Sequence, residues 1–375
     1  MQQIEMVDLK GQYQHIKEEI NAAIIAAVEE AAFINGPAVK AFAKELAEYN
    51  AVKHVIPCAN GTDALQIAMM ALGLQPGDEV IVPAFTYVAT AEVIALLGLK
   101  PLFTEVDPAT FNIDVKQLKE MLSPRTKAIV PVHLYGQCAD MEPLLAFAKE
   151  HQLFIIEDTA QAIGAEYNFS NGKAQKAGTM GEIGATSFFP SKNLGCYGDG
   201  GALFTNDDAM AEKLQMIANH GQRVKYYHEV VGVNSRLDTI QAAVLRVKLR
   251  QLNSYINSRQ KAAAYYDKAL AAVEELELPF RSPSSSHVFH QYTLKIKNGK
   301  RDALKEYLAG KGIPSMVYYP VPLHLQQAYQ SRDYGKGAFP VSEQLSQEVI
   351  SLPMHTELTE EQLNYITTSV QSFFT

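Results

Sequence analysis

The chain lacks the marks of several large protein classes. Its 375 residues include only three cysteines, Cys58, Cys138 and Cys196, far apart and in no paired motif. That excludes a disulfide scaffold or a cysteine metal site and fits a reducing compartment. No long basic run occurs and the formal net charge is −8, so nucleic acid is not an expected partner. No apolar run is long enough to cross a bilayer. The stretch from Met1 to Gln14 is polar and has no signal-peptide core, so a soluble cytoplasmic protein is expected. No G-x-G-x-x-G opens the first strand–helix unit, which argues against a nicotinamide enzyme. Internal repeats and low-complexity segments are missing too.

Apolar residues, by contrast, are plentiful. At 47% hydrophobic, 375 residues are too many for one core, and two domains are expected, 1–252 and 253–375. Seven short apolar runs read as strands: His54 to Ala59, Glu79 to Pro83, Leu102 to Val106, Ala128 to Val132, Leu153 to Asp158, Ile183 to Ser187 and Gly201 to Thr205. Pro57 is an awkward residue for the first of them. Helical spacing separates most of these runs, which implies an α/β domain with a mostly parallel sheet covered on both faces. Beyond Phe280 the pattern changes to a smaller α+β domain. Tyr292 to Lys297 and Ser315 to Tyr319 read as strands there, Asp302 to Lys311 as a helix, and Thr359 as the N-cap of a closing helix.

Polar groups collect where these strands end, the ligand-binding side of open α/β sheets. Asn60-Gly61-Thr62-Asp63 follows the first strand and opens a helix, a geometry that points free N–H groups at an anion. An ordinary cap by Thr62 or Asp63 reads equally well locally, and Asp63 is expected to turn back to the helix, away from any phosphate. Tyr87 follows the second strand. Asp158 ends the fifth, with Gln161 three residues on; a buried carboxylate there needs a cationic partner, unless it only caps a helix. The loop Ser187-Phe188-Phe189-Pro190-Ser191-Lys192-Asn193-Leu194-Gly195 holds one lysine among hydroxyls, aromatics and glycine. Lys192 is either a surface residue of a turn or, if desolvated, an amine nucleophile.

Together these groups suit pyridoxal 5′-phosphate. Its aldehyde needs an amine, its pyridine nitrogen a carboxylate, its phosphate backbone and hydroxyl donors, and its ring a face to stack on.

The lysine loop, with Phe33-Ile34-Asn35-Gly36-Pro37, Ala59 to Leu65, Phe85 to Thr90, Glu157 to Ala162 and Asn234-Ser235-Arg236-Leu237-Asp238, resembles the DegT/DnrJ/EryC/StrS sugar-nucleotide aminotransferases over nearly the whole chain. The resemblance implies the fold type I, aspartate-aminotransferase-like architecture and a homodimer with shared active sites. It implies that Lys192 bonds the cofactor and moves the proton, that Asp158 faces the pyridine nitrogen and Gln161 the ring hydroxyl, and that Tyr87 stacks on the ring. Gly61, Thr62 and Ser187 would hold the phosphate, joined by Asn234 of the other subunit, with Phe33 and Ser191 near the sugar.

Within the family, Tyr135 to Asp140, Gly195 to Gly201 and Val231 to Arg236 resemble in particular the enzymes acting on UDP-2-acetamido-2-deoxy-3-oxo-glucuronate. That implies a UDP-sugar acceptor, an amino-acid donor such as L-glutamate, and a role in surface polysaccharide synthesis. Arg236 is the candidate reader of the uronate carboxylate, against a structural pair with Asp238. The family usually has His-Tyr-Pro where this chain has Tyr318-Tyr319-Pro320, so a phenol stands for an imidazole beside the sugar. The rival readings are an aminotransferase for a neutral dTDP-3-oxo or 4-oxo sugar and a non-catalytic regulator that binds the cofactor. A dehydratase of the same family would carry histidine at position 192.

Overall fold

The computed structural model describes residues 3–330 and 333–375; Met1 and Gln2 of the polar N-terminus lie outside it. Among the described residues, seven strands form the central sheet: β1 (His54–Cys58), β2 (Glu79–Pro83), β3 (Lys100–Thr104), β4 (Thr126–Ile129), β5 (Phe154–Asp158), β6 (Ile183–Ser187) and β7 (Gly201–Thr205). Their spatial order is β1–β7–β6–β5–β4–β2–β3. The strands from β3 across to β6 pair in parallel, and β7 lies antiparallel between β6 and β1. Since β1 is an edge strand, Pro57 costs it little: a missing N–H is tolerated where one side has no ladder to complete.

Helices cover both faces: α1 (Leu9–Glu30), α2 (Pro37–Asn50), α3 (Gly61–Ala71), α4 (Ala89–Leu96), α5 (Met141–His151), α6 (Asp208–Ala218) and α7 (Thr239–Leu270). Successive strand residues point to opposite faces, so each strand feeds two cores. Ile81, Ile129 and Ile155 pack with Phe42 and Leu46 of α2, Leu144 of α5 and Leu245 of α7. Val80, Val82 and Ile156 pack with Leu65 of α3, Val93 of α4 and Leu214 of α6. Burial on both faces is why β2 and β7, enclosed at every position, read as apolar runs without alternation.

The second body is a three-stranded antiparallel sheet, β8 (Leu276–Glu277), β9 (Tyr292–Ile296) and β10 (Val349–Leu352), with α8 (Arg301–Gly310), α9 (Pro340–Glu348) and α10 (Glu360–Phe374). Its core joins Leu294, Ile350, Leu304 and Ile366 to Ala263, Tyr266 and Leu270 of α7. The expected division at 252/253 falls inside α7, one unbroken helix of 32 residues. Ile256 still packs in the large core and Ala262 already in the small one.

The segment Ser315 to Tyr319 is not a strand; it makes only the bridge Met316–Ser351. Pro314, Pro320 and Pro322 flank it with fixed φ and no N–H of their own, so a ladder cannot extend past it at either end. The chain instead returns to the large body, where the Leu323 N–H donates to Ala84 O at 2.8 Å and Leu323 joins the core. Glu105, buried just past β3, accepts from the N–H groups of Val341 and Ser342 at 2.8 and 2.9 Å and so caps α9. This return holds Tyr318 and Tyr319 over the C-terminal ends of the parallel strands.

Candidate active site

At those strand ends lies a cavity of about 680 Å³, lined by loops after β1, β2, β4, β5 and β6 and by small-domain residues. That volume suits a small-molecule site, for which about 300–1,000 Å³ is usual.

Lys192 lines the cavity. Its loop is anchored at three points. The Cys196 N–H donates to Phe188 O at 2.8 Å, the Phe188 ring packs edge-on against Phe42 at 5.4 Å, and Asn193 Nδ2 donates to Val288 O at 3.0 Å. Burial lowers the Lys192 ammonium to about 8, and the Asp158 carboxylate opposes part of that fall. That speaks against a solvated turn lysine and poises the amine to lose its proton near neutral pH.

Asp158 and Glu157 are neighbours in β5 and face opposite ways. Glu157 is wholly buried and spent on structure: it accepts from Gly178, Met180 and Gly181 N–H groups at 2.8, 2.6 and 2.7 Å and pairs with His133 Nε2 at 2.9 Å. Asp158 faces the cavity. It accepts from the Thr90 hydroxyl at 3.0 Å and from the Ala160 N–H at 3.1 Å. Burial raises its pKa, with those two bonds and the nearby Lys192 acting the other way. It does cap the turn at Ala160, but a cap needs no burial, and a buried carboxylate aimed at a cavity is made for a cation.

Gln161 is oriented by its partners. Its Oε1 accepts from the Tyr135 N–H at 2.8 Å, which turns Nε2 to the Tyr319 phenol at 3.0 Å. Tyr87 stands 56% exposed on the cavity wall, its ring 6.2 Å from that of Tyr319. Ser191 and Tyr318 also line the cavity.

At the N-terminus of α3 the cap is Asn60, whose Oδ1 accepts from the Asp63 N–H at 2.8 Å; neither Thr62 nor Asp63 serves. Asp63 makes no hydrogen bond back to the helix and lines the cavity instead. The cap leaves the N–H groups of Gly61 and Thr62 free at the positive end of the helix. A Cβ on Gly61 would lie 2.6 Å from Ser187 Cβ, so only glycine lets α3 start this close to β6. Backbone donors and two hydroxyls, Thr62 and Ser187, thus form a phosphate cradle across from a desolvated amine and a buried acid. The residues present fit pyridoxal phosphate. Among the described residues no group of three His, Cys, Asp or Glu side chains could hold a metal, and no helix is long and apolar enough to cross a membrane.

Phe33, Asn234 and Arg236 do not line this cavity. Phe33 and Asn234 are exposed; Arg236 is part-buried and has no ion pair or hydrogen bond among the described residues, with Asp238 or otherwise. Sequence reasoning missed Asn60, Thr90, Tyr135, Asn193 and His290. Asn60 carried a signal, since asparagine directly before a helix start is a preferred cap. Thr90, Tyr135 and Asn193 act through contacts that no local pattern announces, and His290 arrives from the other domain.

Fold and site together define a pyridoxal-phosphate-dependent aminotransferase. The chain belongs to the DegT/DnrJ/EryC1/StrS aminotransferase family, whose model matches residues 14–371. It is 48% identical over 99% of its length to the "Pleiotropic regulatory protein" of Geobacillus stearothermophilus, 98% of which is covered. It is 47% identical over 97% of its length to the UDP-2-acetamido-2-deoxy-3-oxo-D-glucuronate aminotransferase of Pseudomonas aeruginosa, again with 98% covered. It superposes on S. venezuelae DesV, solved in complex with a ketimine intermediate, with a TM-score of 0.95 at 39% identity, covering 100% of this chain and 99% of that one. Relatives at 37–40% identity carry dTDP- and GDP-sugar names. The protein is a sugar aminotransferase.

Proposed function

We propose that this enzyme transfers the amino group of L-glutamate to C3 of a UDP-linked 2-acetamido-3-oxo uronate, in the cytoplasm, for a surface polysaccharide. The observation that carries transamination is the desolvated Lys192 beside buried Asp158. The UDP-linked 3-oxo sugar rests on two relatives, at 47% and 44% identity, of which the first is named for the uronate and the second for a glucosamine with a neutral C6.

When bound, pyridoxal phosphate supplies an electron sink. Asp158 keeps a proton on the pyridine nitrogen by offering an anion. Gln161, its Oε1 occupied by Tyr135, offers Nε2–H to the ring hydroxyl, and Tyr87 covers the ring face. Gly61, Thr62 and Ser187 hold the phosphate. Lys192 Nζ, once free, takes the proton from the donor's α-carbon and returns one to the acceptor sugar. Ser191, Tyr318 and Tyr319 wall the sugar side. The two half-reactions share one site, so kinetics are ping-pong.

Phe33, Asn234 and Arg236 belong, on this reading, to the partner's site in a homodimer. Apolar side chains near them stand exposed, Val231 by 85% and Phe33 by 45%, as an uncovered interface would. Arg236, without a partner of its own, grips the uronate carboxylate with two parallel N–H donors.

The deciding experiment is kcat/KM of wild type and Arg236→Ala on the UDP-3-oxo uronate and on the sugar with a neutral C6, with products identified by mass spectrometry. Losing a partly buried charged pair costs about 2–5 kcal/mol on the uronate and much less on the neutral sugar. Equal losses overturn the carboxylate assignment and favour the second reading, a neutral dTDP-linked oxo sugar, for which relatives at 40% and 39% identity speak. A non-catalytic regulator that binds the cofactor is the remaining alternative; it would hold the cofactor with the same amine and acid but turn over neither sugar.

A further inference from the structure

His290 has no part in the roles above. It sits just before β9 in the small domain, yet its imidazole lines the same cavity as Lys192. The residue is 6% exposed. Its Nδ1 is buried with no hydrogen-bond partner among the described residues, which leaves Nε2 as the nitrogen able to serve the cavity that the residue lines.

The position of His290 is held from three sides. Arg259 Nη1 donates to the carbonyls of Phe289 and Met354 at 3.0 and 2.9 Å. The Gln291 N–H reaches Tyr135 O at 3.3 Å and the Val288 N–H reaches Gly136 O at 2.8 Å. Gly136 has φ +110°, and a Cβ on it would lie 2.9 and 3.0 Å from the backbone nitrogens of Phe289 and His290, so the docking requires glycine. The Asn193 bond to Val288 ties the lysine loop to the same segment, just ahead of β9.

Its charge is held as well. Burial and two cations, Lys192 and Arg259, keep the imidazole well below its ordinary range, and no carboxylate acts on it. At neutral pH it is uncharged and has one N–H to place. On Nδ1 that hydrogen would be a buried donor without an acceptor; on Nε2 it points into the cavity.

We propose that His290 Nε2–H donates a hydrogen bond to the carbonyl oxygen of the oxo sugar as that carbonyl is attacked beside Lys192. The carbonyl π pair moves onto this oxygen as the new C–N bond forms, and a fixed donor steadies the charge that develops there. The inference rests on the protein being a sugar aminotransferase but not on which sugar it takes.

The test measures the two half-reactions separately by single-turnover absorbance, with whichever UDP- or dTDP-linked oxo sugar the wild type accepts. A wrong sugar above therefore leaves the test intact. His290→Leu is expected to slow the oxo-sugar half-reaction about 100-fold relative to the amino-acid half-reaction. His290→Gln, which keeps an N–H near the Nε2 position, recovers most of that loss. Cofactor absorbance and melting temperature, read on both variants, show that the site is assembled. Equal slowing of both half-reactions, or failure of His290→Gln to recover more than His290→Leu, overturns the proposal.

Discussion

Lys192 and Asp158 are displaced from their ordinary pKa values by the same cause, in opposite directions. Burial penalises charge, so the amine loses its proton early and the acid holds its proton late. Only the neutral amine attacks an aldehyde. The rate at which cofactor-free protein captures pyridoxal phosphate should therefore rise with pH and level off above about 8, as stopped-flow absorbance would record. A solvated lysine would keep the rate climbing towards about 10.4. Lys192→Ala abolishes turnover and the visible absorption of the bound cofactor; a variant with wild-type turnover sinks the assignment. Asp158→Asn removes a buried charge while keeping an oxygen for the Ala160 N–H. Its cofactor-free melting temperature should be no lower than wild type, while kcat falls about 100- to 1,000-fold through loss of the anion. Wild-type kcat in that variant reduces Asp158 to a cap.

At the scale of elements, the start of α3 combines a cap, a close approach and a ligand site. Asn60 satisfies Asp63 and leaves two inner N–H groups free, and Gly61 lets the helix start against Ser187. Gly61→Ala must push the two apart. A loss of about 1–3 kcal/mol in urea unfolding is expected, from the contact alone, together with a raised Kd for pyridoxal phosphate. Unchanged affinity would mean that the phosphate binds elsewhere. The lysine loop is organised on similar terms, with both ends tied to packed structure by Phe188 and Asn193, so that its one charged side chain is held still.

The whole molecule depends on α7, which belongs to both cores and carries Arg259 to the backbone that sets His290. The proposed dimer gives a test at this scale. Each site would take Lys192 from one chain and Asn234 from the other. Asn234→Asp, which sets an anion against the phosphate, and Lys192→Ala should each be nearly inactive alone. Mixed and re-associated, about half the dimers are mixed and hold one intact site, restoring about a quarter of wild-type activity. If Asn234 served its own chain's site, mixing would restore nothing.

Much of the fold was legible because burial on both faces leaves apolar runs that any reading of the sequence finds; Ile183 to Ser187 and Gly201 to Thr205 match β6 and β7 residue for residue. The lysine loop, Asp158 and Gly61 were legible because strand ends and helix starts are local features with local chemistry. Tertiary structure decided the rest. Whether Lys192 is desolvated depends on what encloses its cavity, and that includes His290, Gln291, Tyr318 and Tyr319, from distant parts of the chain. The strand expected at Ser315 to Tyr319 failed because flanking prolines stop any ladder at both of its ends and core packing of Leu323 drew the chain back. His290 could not be foreseen: one histidine in a strand-like stretch becomes a neutral donor only when Lys192 and Arg259 are folded to either side of it.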